Sequence, residues 1–302
     1  MSEFFDKATL PDSSDLGPAL ASHLGRLFIA WKGSGNENLN VGVFQRDGRH
    51  LADKHTSSET SSHAPALIST QNGLFLAWKG SGNDELNGAR VDTFANTAGG
   101  FGIEGLSNKS LLRQTSEAGP ALAADNGGAI FIAWRGSGNE NLNIASAGGN
   151  LTDLDIPGTS SETSEIAPAL SWLNGAIYLA WKGAGNDNLS ALAVLGGPRQ
   201  LHGIPAKIFG DASSHSPALA SHAGRVFMAW KGSGNEQLNV GIVETDPHSP
   251  SGNLNVSGLS GKQVFSHDTT EQAPSLVSHE GQLIIAWKGA GNDNLNVAKV
   301  PV

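Results

Sequence analysis

Six times along the chain a tryptophan is followed at once by a cation, then by Gly-x-Gly, an asparagine and an acid. The tryptophans are Trp31, Trp78, Trp134, Trp181, Trp230 and Trp287, and the cations after them are Lys32, Lys79, Arg135, Lys182, Lys231 and Lys288. The amide–acid pairs are Asn36-Glu37, Asn83-Asp84, Asn139-Glu140, Asn186-Asp187, Asn235-Glu236 and Asn292-Asp293. A carboxylate, a long cation, an amide and an aromatic ring are groups that bind a sugar. The carboxylate accepts from paired hydroxyls, the cation and amide reach ring or N-acetyl oxygens, and the ring stacks on C–H faces. All of these residues are therefore candidate ligand-binding positions.

The same residues have an architectural reading. Gly-x-Gly gives the positive φ that a tight hairpin needs. Asparagine and the acid can hydrogen-bond a turn backbone, a Lys–Glu pair can fix the turn, and tryptophan can fill space between sheets. A turn needs Gly and Asn but does not need a cation six times over. For the ion pair itself the two readings stay level. Ser190 replaces the final Asn of the fourth copy, and Glu85 and Gln237 replace the middle Asn of the second and fifth, so sites two, four and five are expected to differ.

The elements that carry the motif are legible in its spacing. Successive tryptophans lie 47 to 57 residues apart, and each copy is preceded by Pro-Ala-Leu or Pro-Ser-Leu at Pro18, Pro65, Pro120, Pro168, Pro217 and Pro274. A repeat of this period signals a solenoid, a propeller or an array. Each unit reads as four short apolar runs split by Gly, Asn or Asp, an antiparallel meander. In the first unit these are Pro18–His23, Arg26–Lys32, Leu39–Gln45 and Leu51–Thr56. Arg26–Lys32 is apolar on both faces, with Leu27, Ile29 and Trp31 on one and Phe28 and Ala30 on the other. A strand buried on both sides belongs to a sheet stacked between two others. The expectation is an all-β, six-bladed β-propeller with four antiparallel strands per blade, a single domain over residues 1–302. The last unit stops after its third strand, and Phe4–Thr9 resembles the fourth strands elsewhere, so the N-terminal strand is expected to close the ring. The longer connections at about 94–109 and 244–261 read as surface loops. Tyr178 stands where other units have Phe and reads as core. His23, His222 and His279 occupy a variable position before a turn and are expected to be solvated.

Composition narrows the classes. There are 39 glycines in 302 residues and 16% charged residues, against a usual charged content of about 25%. A net charge of −9 argues against nucleic acid and anionic membrane surfaces. The absence of cysteine excludes disulfide scaffolds, thiolate metal sites and cysteine nucleophiles. No apolar run reaches 18 residues, so no membrane insertion is expected. The acidic start lacks an apolar stretch of the secretory kind, which places the protein in the cytoplasm or exports it without a signal peptide. Gly289–Leu295 resembles a calcium-binding nonapeptide, but copies some 50 residues apart cannot stack as a β-roll, and no metal or other cofactor is expected. No nucleophile elbow, phosphate loop or His-Glu-x-x-His occurs. A single catalytic centre needs unique groups, whereas here the distinctive groups recur, so the expectation is that the protein is not an enzyme.

Taken together, six Trp-Lys-Gly-x-Gly-Asn-acid units closing on the N-terminus resemble the β-propeller lectins of fungi and bacteria, over essentially the whole chain. The resemblance implies several equivalent carbohydrate sites, no catalysis, and recognition of terminal sugars such as N-acetylglucosamine or fucose on glycoproteins or glycolipids. Fucose-binding propellers pair Arg and Glu with an aromatic, whereas this chain has Lys in five copies and Arg only at Arg135. The alternatives are a protein-interaction propeller and a propeller glycosidase or lyase with one central site.

Overall fold

The computed structural model describes residues 2–95, 100–246 and 254–302. Glycine- and asparagine-rich turns divide them into 24 strands in six four-stranded sheets. The first strand is β1 (Phe5–Ser13). Blade 1 is β2 (Ala19–His23), β3 (Arg26–Lys32), β4 (Asn38–Phe44) and β5 (Leu51–Thr60). Blade 2 is β6 (Ala66–Thr70), β7 (Gly73–Lys79), β8 (Glu85–Ala95) and β9 (Phe101–Thr115). Blade 3 is β10 (Ala121–Ala124), β11 (Ile130–Arg135), β12 (Asn141–Ser146) and β13 (Gly158–Thr163). Blade 4 is β14 (Ala169–Leu173), β15 (Ala176–Lys182), β16 (Asn188–Leu195) and β17 (Lys207–Ala212). Blade 5 is β18 (Ala218–His222), β19 (Arg225–Lys231), β20 (Gln237–Asp246) and β21 (Asn255–Thr269). Blade 6 is β22 (Ser275–His279), β23 (Gln282–Lys288) and β24 (Asn294–Lys299), completed on its outside by β1.

The ring thus closes as the repeat implies. β1 runs antiparallel to β24, with Thr9 opposite Asn296. Leu10 is buried in the joint between blades 6 and 1, and Phe4 stacks on Phe265 at 3.7 Å between ring centroids. Closure pairs an edge that would otherwise stand open. Among the described residues the only helix is a 3-10 turn at Pro198–Gln200, and none is long and apolar enough to cross a membrane.

The core is not axial but divided among the six joints between blades. Each second strand sends alternate residues to opposite neighbours, as a strand with period two must. From β3, Leu27, Ile29 and Trp31 pack toward blade 6, while Phe28 and Ala30 pack toward blade 2. Each tryptophan fills the joint with the preceding blade, at 1–2% exposure. Tyr178 is buried in the joint between blades 4 and 5.

One expectation needs correction here. The connections at 94–109 and 244–261 are mostly not loops: β8 with β9, and β20 with β21, continue as paired hairpins up to Ala95–Phe101 and Asp246–Asn255. Residues 96–99 and 247–253 lie outside the described residues. Strands β9 and β21 each run for 15 residues, and bulges break their register, which lets them bend toward the preceding blade, where β9 meets β4 and β5 and β21 meets β16 and β17.

Candidate functional site

The repeated motif forms the hairpin between the second and third strands of each blade, on the face where the prolines enter the first strands. Its central glycines, Gly35, Gly82, Gly138, Gly185, Gly234 and Gly291, have φ between 68° and 77°, a conformation that strains any other residue. In every copy the Asn side-chain oxygen accepts the backbone N–H two residues on, from Asn36 with Asn38 at 3.0 Å to Asn292 with Asn294 at 2.9 Å. The asparagines thus hold their own turns.

The cations are nearly buried, at 4–8% exposure. Each turns back to a residue 17 or 18 positions earlier. Lys32 donates to both oxygens of Asp15 at 2.8 Å, Lys182 to Glu165 at 2.8 Å and Lys288 to Glu271 at 2.7 Å, and Arg135 pairs with Glu117. Lys79 and Lys231 meet Ser62 and Ser214 instead, at 3.2 and 2.9 Å. The cation and turn-amide contacts hold the carboxyls of Glu117, Glu165 and Glu271 below the usual range. A feature the sequence reading missed presents these partners. Four residues before every Pro stands a fully buried Ser or Thr whose hydroxyl bridges the backbone two residues on: Ser14, Ser61, Ser116, Ser164, Ser213 and Thr270.

The motif acids face the next blade. Glu37 accepts from Ser81, Asp84 from Ser137 at 2.9 Å, Asp187 from Ser233, and Asp293 from Ser34. Where the next turn carries Ala184 or Ala290 the hydroxyl is missing. The carbonyl of each motif acid also accepts an N–H from the following Ser or Thr at 2.8–3.0 Å. The hairpin is therefore a clip between neighbouring blades.

A second six-fold feature lies on the rim, in the clefts between outer strands. Four clefts are spanned by a lysine of one blade and an acid of the preceding one: Lys54–Asp12 at 2.7 Å, Lys109–Glu59 at 2.5 Å, Lys262–Asp211 and Lys7–Asp268. Lys7, Lys109 and Lys262 also lie 5.3–5.8 Å from the centroids of Trp287, Trp78 and Trp230. The lysine always stands two residues before the position opposite the motif's final Asn, as in Lys7-Ala8-Thr9 and Lys54-His55-Thr56, a spacing visible in the sequence. Blades 3 and 4 carry Pro157 and Ala206 there instead. The cleft between blades 3 and 4 is accordingly unspanned, with a volume of about 160 Å³. Its walls include Glu162, Trp181, Asn186, Asn188, Ser190 and Ile208. It brings together two of the candidate ligand-binding residues of the fourth copy, Trp181 and Asn186, whereas Lys182 and Asp187 stay in the clip. Ile208 is 63% exposed at its lip.

The axial channel, about 370 Å³, is walled by Pro, Ala, Leu, Ser and their like from the six inner strands. Near the channel mouth opposite the clips, the three variable-position histidines are not solvated as expected. His23 bonds Ser69 at 2.8 Å, His222 bonds Ser278 at 2.9 Å and His279 bonds Ser22 at 2.9 Å, each across a blade joint. The tight turns after the inner strands press these rings against the neighbouring blade. Burial lowers the basicity of His23 and His279.

No family model and no curated protein matches the sequence. Solved structures do. A Penicillium chrysogenum α-L-arabinanase complexed with arabinobiose matches with a TM-score of 0.59 and 12% identity, covering 99% of this chain and 98% of that one. The phage phi92 endosialidase matches with a TM-score of 0.62 and 10% identity over 98% of this chain and 69% of that one. The β-propeller domain of Myceliophteria thermophila Cps50 (Swd1) matches with a TM-score of 0.52 and 11% identity, covering 94% and 83%. At such identities the likeness is one of fold. It nevertheless overturns the expectation that the protein is not an enzyme, because whole-chain matches include an arabinanase and an endosialidase. Repetition of a motif around the ring is no argument against catalysis on this fold.

Proposed function

We propose that this propeller binds carbohydrate in the clefts between its blades that no lysine spans, as a multivalent lectin for terminal sugars such as N-acetylglucosamine or fucose on glycoproteins or glycolipids. The observation that carries the reading is the unspanned cleft between blades 3 and 4. Glu162 supplies a carboxylate for paired hydroxyls, Asn186, Asn188 and Ser190 supply amides and a hydroxyl, and Ile208 offers an apolar edge to a C–H face. The motif tryptophans, cations and acids act mainly by building the cleft walls and locking one blade to the next. The arabinanase and endosialidase likenesses support the reading, since both names refer to carbohydrate. Two weak clefts on one rigid ring, those that Pro157 and Ala206 leave without a spanning lysine, gain through avidity on a surface dense in glycans.

The test is calorimetric titration with N-acetylglucosamine and with fucose. One of the two saturates the wild-type chain. Glu162→Ala, and Ala206→Lys, which restores the spanning lysine, each lose the blade 3–4 site while the thermal midpoint stays put. Failure of both sugars to saturate, or unchanged binding in both variants, contradicts the reading.

A further inference from the structure

Three blades already contain an occupied carboxylate pocket, and the chain itself supplies the carboxylate. Glu117, Glu165 and Glu271 each give one oxygen to the motif cation and the other to the turn amide of Gly138, Gly185 or Gly291, at 3.0 Å in all three. The glutamate side chains are 40–46% exposed, so this pocket opens to solvent.

In blades 2 and 5 the glutamate is replaced by Ser62 and Ser214. The cation is still there and still buried: Lys79 at 6% and Lys231 at 8% exposure. The serine hydroxyls reach it, but among the described residues no carboxylate reaches the amides of Gly82 or Gly234. Lys79 also donates to the Asn83 carbonyl at 2.7 Å and lies 3.3 Å from Asp84. The filled blades keep that motif acid as well, with Lys182 3.7 Å from Asp187 and Lys288 3.5 Å from Asp293. The difference is therefore one missing carboxylate. Beside each serine stands a histidine found in no other blade at this position, His63 at 3.0 Å and His215 at 3.1 Å from the hydroxyl. In blade 1 the shorter Asp15 spends both oxygens on Lys32.

We propose that blades 2 and 5 each bind the carboxylate of an acidic sugar where blades 3, 4 and 6 hold their own glutamate. The Lys79 or Lys231 ammonium takes one oxygen and the Gly82 or Gly234 amide takes the other, a charge-assisted pair of bonds. Ser62 with His63, or Ser214 with His215, borders the entry and contacts the ring substituents. The two sites lie three blades apart, on opposite sides of the six-bladed ring, on the face of the clips and away from the rim clefts. That the ligand is a sugar rests on the proposed function; that it bears a carboxylate does not.

The experiment is titration of the whole chain with sodium glucuronate, with glucose as the neutral counterpart. Two glucuronates bind per chain, and glucose binds at these sites roughly tenfold or more weakly, because the buried polar groups lose their partner. Ser62→Glu and Ser214→Glu each refill a pocket as blades 3, 4 and 6 do; each removes one glucuronate, the double variant removes both, and the thermal midpoint does not fall. Glu165→Ser adds a third site. A wild-type stoichiometry other than two, or binding that survives in the double variant, overturns the inference. A chain that binds N-acetylglucosamine or fucose at its clefts but no glucuronate overturns this inference alone. One that binds two glucuronates and neither neutral sugar overturns the cleft reading alone.

Discussion

Replacing Trp31 by alanine tests whether the repeated ring is a wall or a ligand platform. The indole is 1% exposed and sits in the joint between blades 6 and 1, among Leu10, Leu20, Ile29 and Ile284. Truncating a fully buried aromatic to alanine costs about 3–5 kcal/mol. Unfolding entropy is about 2.1 cal/mol/K per residue, which for a chain of this length gives roughly 0.6 kcal/mol/K. The midpoint in differential scanning calorimetry is therefore expected to drop by about 5–8 °C. Trp31→Phe, which keeps most of the buried volume, is expected to drop by less than half as much. The equivalent Trp134→Ala, in the joint between blades 2 and 3, is expected to match Trp31→Ala, because both rings fill the same kind of joint. A shift below about 1 °C accompanied by loss of sugar binding would refute the argument, since a ring that only stacks on ligand leaves the free protein's stability alone.

Four further outcomes follow from the same geometry. Leu10→Asp places a charge at a position 2% exposed in the closing strand, and urea unfolding is expected to show a loss of more than about 3 kcal/mol. Phe5→Asp, on the same strand but 57% exposed, is expected to be near neutral by the same assay. Ser233→Ala breaks one hydroxyl link to Asp187 and is expected to lower the midpoint by no more than about 2 °C, since blades 4 and 6 already do without that hydroxyl. The pH profile carries a sign. Burial holds His23, His63, His215 and His279 below their ordinary value of 6.5, so the unfolded chain takes up protons that the folded chain refuses. Their contribution to stability is complete above pH 6.5 and is lost as the pH falls below it. The lowered carboxyls of Glu117, Glu165 and Glu271 add a second loss below their ordinary 4.5. A midpoint that rises on going from pH 7 to pH 5 would contradict this.

The blades, the closing strand and the two-faced packing of Arg26–Lys32 were legible because each is a matter of period and turn chemistry within one unit. Partners in neighbouring segments were not. Lys32 and its counterparts could be seen as six cations, but their partners, four acids and two serines, lie 17 or 18 residues back across a hairpin, presented by a Ser or Thr whose role shows only as a turn. The rim pairs are harder still: Lys109 meets Glu59 across a blade joint, 50 residues away, and Lys7 meets Asp268 only because the ring closes. The histidines were misread for the same reason. A polar residue before a turn looks solvated until the next blade is packed against it. The extended hairpin at β8 and β9 was hidden by the Gly99-Gly100 turn signal and by three irregularities in its register. In the motif itself, the choice between holding a turn and holding a ligand depended on burial, which a repeated string of residue types does not carry.

Diffraction from crystals soaked in N-acetylglucosamine or in fucose tests the central claim most directly. The account predicts sugar density between blades 3 and 4, with ring hydroxyls on the Glu162 carboxylate and a C–H face against Ile208. That cleft empty in well-diffracting soaked crystals, with its walls open to solvent and not blocked by the lattice, would contradict it.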